Sequence, residues 1–449
     1  MGAVRFETAG AAPGNAPDRA DVACFVGLVR RRTRPGGAEL YTPLPPSVER
    51  WLYEEGWSRP PLGRPPVQLR ALLDIPVPCE NWETFDHLYA WEERPYAGGI
   101  TGGTYLGAAV RSFFAQGGRR CYVVRVGDPW EPGTPRADRL RTLPALVPGW
   151  GNSRRAEPAA RSTWRGMGLL FGLPDVSFVV LPDLAEACAA DAPPRRVDLE
   201  PAPPEEVFVE CSAGETAPPV DHYPASVRAP RCDRDGFVHW GGAVREAAQI
   251  VRRHAREVQL IAAVPLPADD LAFSGASDTR YLPRVGIAEL AQAMAEREDE
   301  MQLVRDGLLR FLADEGLLRG GIERGAPSLA SAFVQLVYPW LRTPGSQTLP
   351  EGLEGPEGAL AGLLARNALL RGTFLSAGSL DVADVLAVHP VVTRDQLDNP
   401  LRVDGEGPDR TLMQRVSLFG PTPRGIRLLS DVTTSPDEAY RPASVNRLV

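Results

Sequence analysis

Four residues of zinc-ligating type, Cys211, His222, Cys232 and His239, follow one another as C-x10-H-x9-C-x6-H. A zinc site needs close pairs that preorganise two ligands, and this spacing has none, so no metal site is expected. The stretch Gly98–Gly107, GGITGGTYLG, precedes a helical pattern and could offer backbone amides to an anion. It matches neither the dinucleotide nor the P-loop spacing, and is read as a structural turn. The five histidines, His87, His222, His239, His254 and His389, stand apart, with no H-E-x-x-H and no G-x-S-x-G elbow in the chain. His254 and Glu257 lie three apart on a predicted helix and read as a surface pair. The run EREDE, Glu296–Glu300, reads as a solvated helix face, against which a pair of glycosidase carboxylates does not stand out. Arg30–Arg32 and Arg119–Arg120 are short basic runs offset by acids, which suits solvation or a protein contact better than nucleic acid. No catalytic, cofactor-binding or metal-binding residue is therefore nominated.

Composition narrows the chemistry further. All 49 basic residues are arginine, set against 57 acidic ones for a formal charge of −8. Without lysine there is no amine for a Schiff base, because arginine stays protonated. The P-loop and protein-kinase signatures also lose their phosphate-binding lysine. Glycine (44) and proline (45) make up about a fifth of the 449 residues, above the ~12% average but below a low-complexity chain. A 43% hydrophobic content supplies a core for two or three domains. No run of 18 apolar residues exists to span a membrane, and MGAVRFETAG lacks the apolar centre of a signal peptide. Six scattered cysteines without a C-x-x-C pair read as reduced thiols of a cytoplasmic product.

The elements that would position any site alternate between strand and helix, which predicts an α/β fold with a mostly parallel central sheet and Pro/Gly-rich loops. Residues 1–20 read as a flexible start. Strands are predicted at Asp21–Val29, Arg119–Val126, Val176–Pro182, VFVEC and Val258–Pro267. Helices are predicted around Ser47–Gly56, after an Asn81 N-cap, over YLGAAVRSFFAQ up to Gly117–Gly118, over Ala160–Phe171 and Gly242–Glu257, in Gly286–Gly320, and through EGPEGALAGLLARNALLRG. PSLASAFVQLVYPWL reads as helix running into strand. LMQRVSLF and GIRLLSDV read as a hairpin joined through Gly420–Pro421. The implied layout is a first block over 21–130, a loop or insertion at 131–157, a central domain over 158–400 with an insertion at about 191–236, and a C-terminal segment over 401–449.

Five blocks, in order, resemble the sheath proteins of contractile phage tails and injection systems. The most specific is TYLGAAVRSFFAQGGRRCYVVRVGD, Thr104–Asp128, similar to the family's helix, Gly-Gly turn and "CYVVRV"-type strand. ENWETFDHLYAW, DVACFVGLV, LPDVSFVVLPDLAEAC, and YPWL followed by EGALAGLLARNALLRGTFLSAG resemble further blocks. The resemblance implies a non-catalytic subtilisin-like central domain. It also implies a structural subunit that packs in hexameric rings around an inner tube and contracts to drive it. The implied partners are copies of itself or paralogous sheath subunits, the tube protein, and baseplate or cap components, with no nucleic acid, membrane insertion or cofactor. Such a subunit assembles in the cytoplasm as part of a phage tail-like or injection particle. Arg119, Arg120, Tyr440, Arg441, Asn446 and Arg447 are the expected interface residues. Two departures stand out: no "PGVYIEE"-type arm opens the chain, and RPASVNRLV echoes only the start of the family's "YVNVRRL" element. The expectation is either a chain cut short or a divergent paralogue that caps or adapts the sheath without polymerising. A hydrolase or nucleotide-binding enzyme using the Gly98–Gly107 loop is the competing class.

Overall fold

Seven successive residues, Val22–Leu28, carry side chains that are all buried, which requires cover on both faces and suits an interior parallel strand. In the computed structural model this is strand β1. The structure describes residues 20–34, 40–59, 63–96, 99–191, 227–268, 333–373, 375, 377, 380–389, 400–401, 410–411, 417–422 and 425–430.

After β1 come α1 (Pro46–Glu54), α2 (Pro66–Ala71), β2 (Val77–Cys79) and α3 (Trp82–Leu88). A small ribbon, β3 (Arg94–Pro95) with β4 (Thr101–Gly102), leads into α4 (Tyr105–Ala115) and β5 (Arg120–Gly127). Next are α5 (Arg136–Leu140), α6 (Leu143–Leu146), β6 (Phe178–Val180) and α7 (Leu184–Cys188). Strand β7 (Arg231–Cys232), α8 (Arg234–His254), β8 (Gln259–Ala263) and β9 (Leu266–Pro267) follow. The remaining described elements are β10 (Val334–Tyr338), β11 (Trp340–Arg342), α9 (Glu357–Leu370), β12 (Ala387–His389), β13 (Pro400–Leu401), β14 (Arg410–Thr411), β15 (Ser417–Thr422) and β16 (Gly425–Ser430).

Eight strands form one sheet in the order β16-β15-β10-β8-β6-β1-β5-β2. The six from β15 to β5 run parallel, and β16 and β2 close the two edges antiparallel. Register follows the apolar runs: Phe25 pairs with Val123 on one side and Val180 on the other, and Val179 pairs with Leu260. This is the predicted mixed α/β architecture with a mostly parallel sheet. Strands from the first block, the central region and the C-terminal segment all share it.

Local chemistry accounts for the elements around the sheet. The Asn81 side chain accepts from the Thr84 amide at 2.8 Å, the predicted N-cap of α3. Thr104 caps α4 by accepting from the Gly107 amide at 3.1 Å, and Gly117, at φ +95°, ends that turn. Helix α9 crosses α4 closely, because Gly358 and Gly362 present no side chain to the α4 backbone. Phe113 from α4 meets Phe25 of β1 edge to face at 5.5 Å.

Several expectations need correction. Ala160–Phe171 does not form an α-helix; it makes 3-10 turns at Arg161–Thr163 and Gly166–Gly172, separated by extended Arg165. Gly166 sits at φ +48°, and a Cβ there would lie 2.0 Å from the Ala145 carbonyl oxygen, which a regular helix of side-chain-bearing residues could not accept. Helix α8 begins eight residues before Gly242, because the Asp233 carboxylate accepts from the Gly236 amide at 2.7 Å and nucleates its first turn. Residues 131–157 contain α5 and α6, held down by fully buried Leu143 and Leu146. The hairpin β15–β16 exists, but Gly420–Pro421 lies within β15 and the strands close between Thr422 and Gly425. VFVEC, Gly286–Gly320, Glu296–Glu300 and the first residues of PSLASAFVQLVYPWL and LMQRVSLF lie outside the described residues.

Candidate functional site

One cavity of about 880 Å³ lies where α7 and the residues that follow it, Ala189–Asp191, meet α5, β7 and the turn at Pro350. Its charged lining is dominated by arginine. Arg94 is almost wholly buried and grips Glu186 through both terminal nitrogens, while its Nε donates to the Trp130 carbonyl at 2.9 Å. Burial works against the Arg94 charge, but the Glu186 carboxylate outweighs it and holds the guanidinium above its ordinary pKa. Arg136 Nη1 donates to Asp233 at 2.5 Å, and Arg231 forks onto Glu351 at 2.8 and 3.3 Å. Arg139 donates to the carbonyls of Thr134 and Ala189 and lies 3.5 Å from Asp191; burial lowers its pKa.

These pairs tie separate chain segments together around the cleft. Among the described residues the cavity lining holds no serine, cysteine or histidine, and its one hydroxyl, Thr134 Oγ1, donates to the Glu131 carbonyl at 2.7 Å. Its groups can grip backbone carbonyls and carboxylates, which is the chemistry of a structural clasp.

The motifs weighed and set aside from the sequence fall elsewhere. In the Gly98–Gly107 stretch, Gly98 lies outside the described residues. The Gly103 amide donates to the Thr348 carbonyl and the Gly107 amide to Thr104, while a Cβ on Gly107 would strike Trp91 at 2.6 Å. These glycines serve packing. Cys232 is buried with its thiol 3.8 Å from the Ala185 carbonyl, and the His239 ring packs edge-on against Trp150. Their proposed companions Cys211 and His222 are not among the described residues. No group of three His, Cys, Asp or Glu placed to hold a metal occurs among the described residues. His254 packs on Phe171 at 5.4 Å, and Glu257 is exposed. Cys24, Cys79, Cys121, Cys188 and Cys232 are free and buried. No described helix is long and apolar enough to cross a membrane.

Of the expected interface residues, Arg119 is exposed at the α4–β5 turn. Arg120 is bound within the chain: its guanidinium donates to the Tyr122 hydroxyl at 2.8 Å and lies 3.4 Å from Glu80 and 3.9 Å from Asp175. Tyr440, Arg441, Asn446 and Arg447 lie outside the described residues.

Sequence reasoning missed the buried acids. Asp183, Glu354 and Glu357 are at most 3% exposed. Glu354 Oε1 accepts from the Ser112 hydroxyl, and Asp183 accepts from the Leu28 amide at 2.7 Å. Burial pushes both Glu354 and Glu357 up to about 8 and Asp183 to about 7. Only one sequence signal pointed there, the pair of acids flanking Gly-Pro just before the apolar α9 pattern.

No family model and no curated protein matches the sequence. Among solved structures, the helical sheath of the anti-feeding prophage in its contracted state is 13% identical with a TM-score of 0.41, over 100% of this chain and 72% of the other. A chain of the same particle's contracted baseplate is 15% identical with a TM-score of 0.45, over 99% and 73%. The sheath complex of an extracellular contractile injection system, PVC, is 12% identical with a TM-score of 0.37, over 100% and 70%. The chain is thus similar to sheath and baseplate components of contractile injection systems.

Proposed function

We propose that this chain is a structural subunit of a contractile tail-like particle, packing with copies of itself in rings around an inner tube and contracting to drive it. One observation carries the reading. The five sequence blocks that resemble sheath proteins coincide with the interlocked centre of the fold: β1, α3, the α4–β5 unit, β6–α7, and β10–β11 with α9. The block of greatest specificity, Thr104–Asp128, forms α4 and β5, which lie against the fully buried strand β1 inside the β2 edge of the sheet. A resemblance confined to loops would carry little weight; here it covers residues that determine the core.

Under this reading the parallel sheet with its helices is the non-catalytic, subtilisin-like body of the subunit. Arg119 and Arg120 at one turn, with Tyr440, Arg441, Asn446 and Arg447, are proposed as contacts between copies. The partners proposed are like subunits, the tube protein, and baseplate or cap components, with assembly in the cytoplasm. Co-expression with the tube protein from the same gene cluster, followed by sedimentation, tests this. The subunit is expected to co-sediment with the tube in particles far heavier than 48.6 kDa. Sedimentation as a monomer beside assembled tubes would refute it, and binding only to isolated baseplates would favour an adaptor.

A further inference from the structure

Three buried acids come from three parts of the fold: Asp183 from the β6–α7 turn, Glu354 from the segment that bridges to Leu341 of β11, and Glu357 at the first turn of α9, close enough to the other two to feel their charges. Glycines leave room for two of them. A Cβ on Gly27 would lie 2.2 Å from Asp183 Oδ2, and one on Gly355 would lie 2.3 Å from Glu357 Oε2. Among the described residues no hydrogen-bond partner reaches Glu354 Oε2 or Glu357 Oε2. A buried carboxylate oxygen without a donor is costly when ionised and much less so when it carries a proton.

We propose that Asp183, Glu354 and Glu357 form a proton-operated lock, which holds α9 against α4 and the sheet while protonated and loosens it when ionised.

Among the described residues no ion pair holds any of the three acids. From α4, Ser112 donates to Glu354, and Arg111 exerts a longer-range attraction while stacking over Trp82 and Trp91. Thr343, just beyond β11, lies near Glu354 and also favours its charged form. From β1 and α4, the amides of Leu28 and Leu106 donate to Asp183. Arg94 attracts Asp183 from the β3 ribbon, but its guanidinium is committed to Glu186, which repels Asp183. Glu357 is raised chiefly by burial, favoured in its charged form by its own amide and disfavoured by the like charges of Glu354 and Asp183. Ionising them would therefore place the Glu357 charge near the like charges of Glu354 and Asp183 in a dry site, against the closely packed α4–α9 crossing.

The sign follows from the raised folded values. Protonated acids in the fold and ionised acids in the opened state mean that stability is greatest below the ordinary carboxylate range and is lost as pH rises through about 7 to 8. Two other sets of groups bound the useful window. Burial lowers His389, whose effect is confined below its ordinary 6.5, and the buried thiols matter only near or above their ordinary 9.0. Asp74, another acid raised by burial, is bonded instead to the Gly166 amide, away from this helix.

The test is hydrogen–deuterium exchange of the full chain, following peptides over Glu357–Leu370 from pH 6.5 to 8.5, corrected for intrinsic exchange. In the wild type, protection of α9 should fall by about tenfold or more. The double variant Glu354→Gln/Glu357→Gln, which keeps size and hydrogen-bonding capacity without ionising, should lose most of that fall. Constant protection in the wild type would overturn the proposal, as would an undiminished fall in the double variant. Should the double variant not fold, Glu354→Gln alone must reduce the fall, and an unchanged fall would count equally against the lock.

Discussion

The α4–α9 crossing can be tested by adding a single methyl group. An ideal Cβ on Gly362 would lie 2.4 Å from the Phe113 carbonyl oxygen, 2.8 Å from Gln116 Cβ and 2.9 Å from Phe113 Cα. Ordinary contact begins near 3.4 Å, so Gly362→Ala requires the helices to separate by about an ångström. The obstacle is mainly backbone and cannot rotate away. Alanine gains about 1 kcal/mol in helix propensity over glycine, while overpacking of this kind costs about 1–3 kcal/mol. With the clash at the upper end of that range, the net loss is about 2 kcal/mol. Gly242 in α8 is the matched control, because its Cβ would meet nothing closer than Trp150 Nε1 at 3.7 Å. Gly242→Ala should therefore stabilise by about 0.5–1 kcal/mol. Urea unfolding, monitored by tryptophan fluorescence, separates the two. At a slope of about 3 kcal/mol/M, Gly362→Ala lowers the midpoint by about 0.7 M, while Gly242→Ala raises it slightly. If Gly362→Ala were as stable as Gly242→Ala, the close crossing would be wrong, and with it the packing that surrounds the buried acids.

Other perturbations probe separate parts of the molecule. Arg94→Met strands Glu186 beside the cleft and should cost about 3 kcal/mol in urea unfolding, with Arg94→Met/Glu186→Met recovering a large part of it. Asp233→Ala removes both the α8 cap and the partner of Arg136, so a loss of about 1–2 kcal/mol is expected, with faster amide exchange in the first turn of α8. Because burial lowers the pKa of His389, its neutral form favours the fold, and that stability is present above the ordinary 6.5 and lost as pH falls below it. Thermal melts from pH 7 to 5 should show His389→Gln losing less stability than the wild type over that interval.

The sheet was legible because parallel strands leave a simple mark: VACFVGL, CYVVRV and QLIAA are continuous apolar runs separated by helical patterns. Caps at Asn81 and the glycines after α4 were legible for the same reason, since each residue type solves one local backbone problem. The region around Gly166 misled, because its apolar spacing fits a helix while its glycines serve a close approach to the Ala145 carbonyl that only tertiary structure reveals. Helices α5 and α6, five and four residues long, are too short to show a period. The burial of the acids was hard to read, the acids flanking Gly-Pro before α9 being the sole hint. A glutamate before a helix ordinarily reads as a solvated first-turn residue, and only the convergence of α4, β11 and α9 takes Glu354 and Glu357 out of water.

Negative-stain microscopy of the chain co-expressed with the proposed tube protein tests the central claim most directly. Closed rings or stacked tubes of subunits surrounding the inner tube are predicted. Bare tubes beside a strictly monomeric chain would contradict the account.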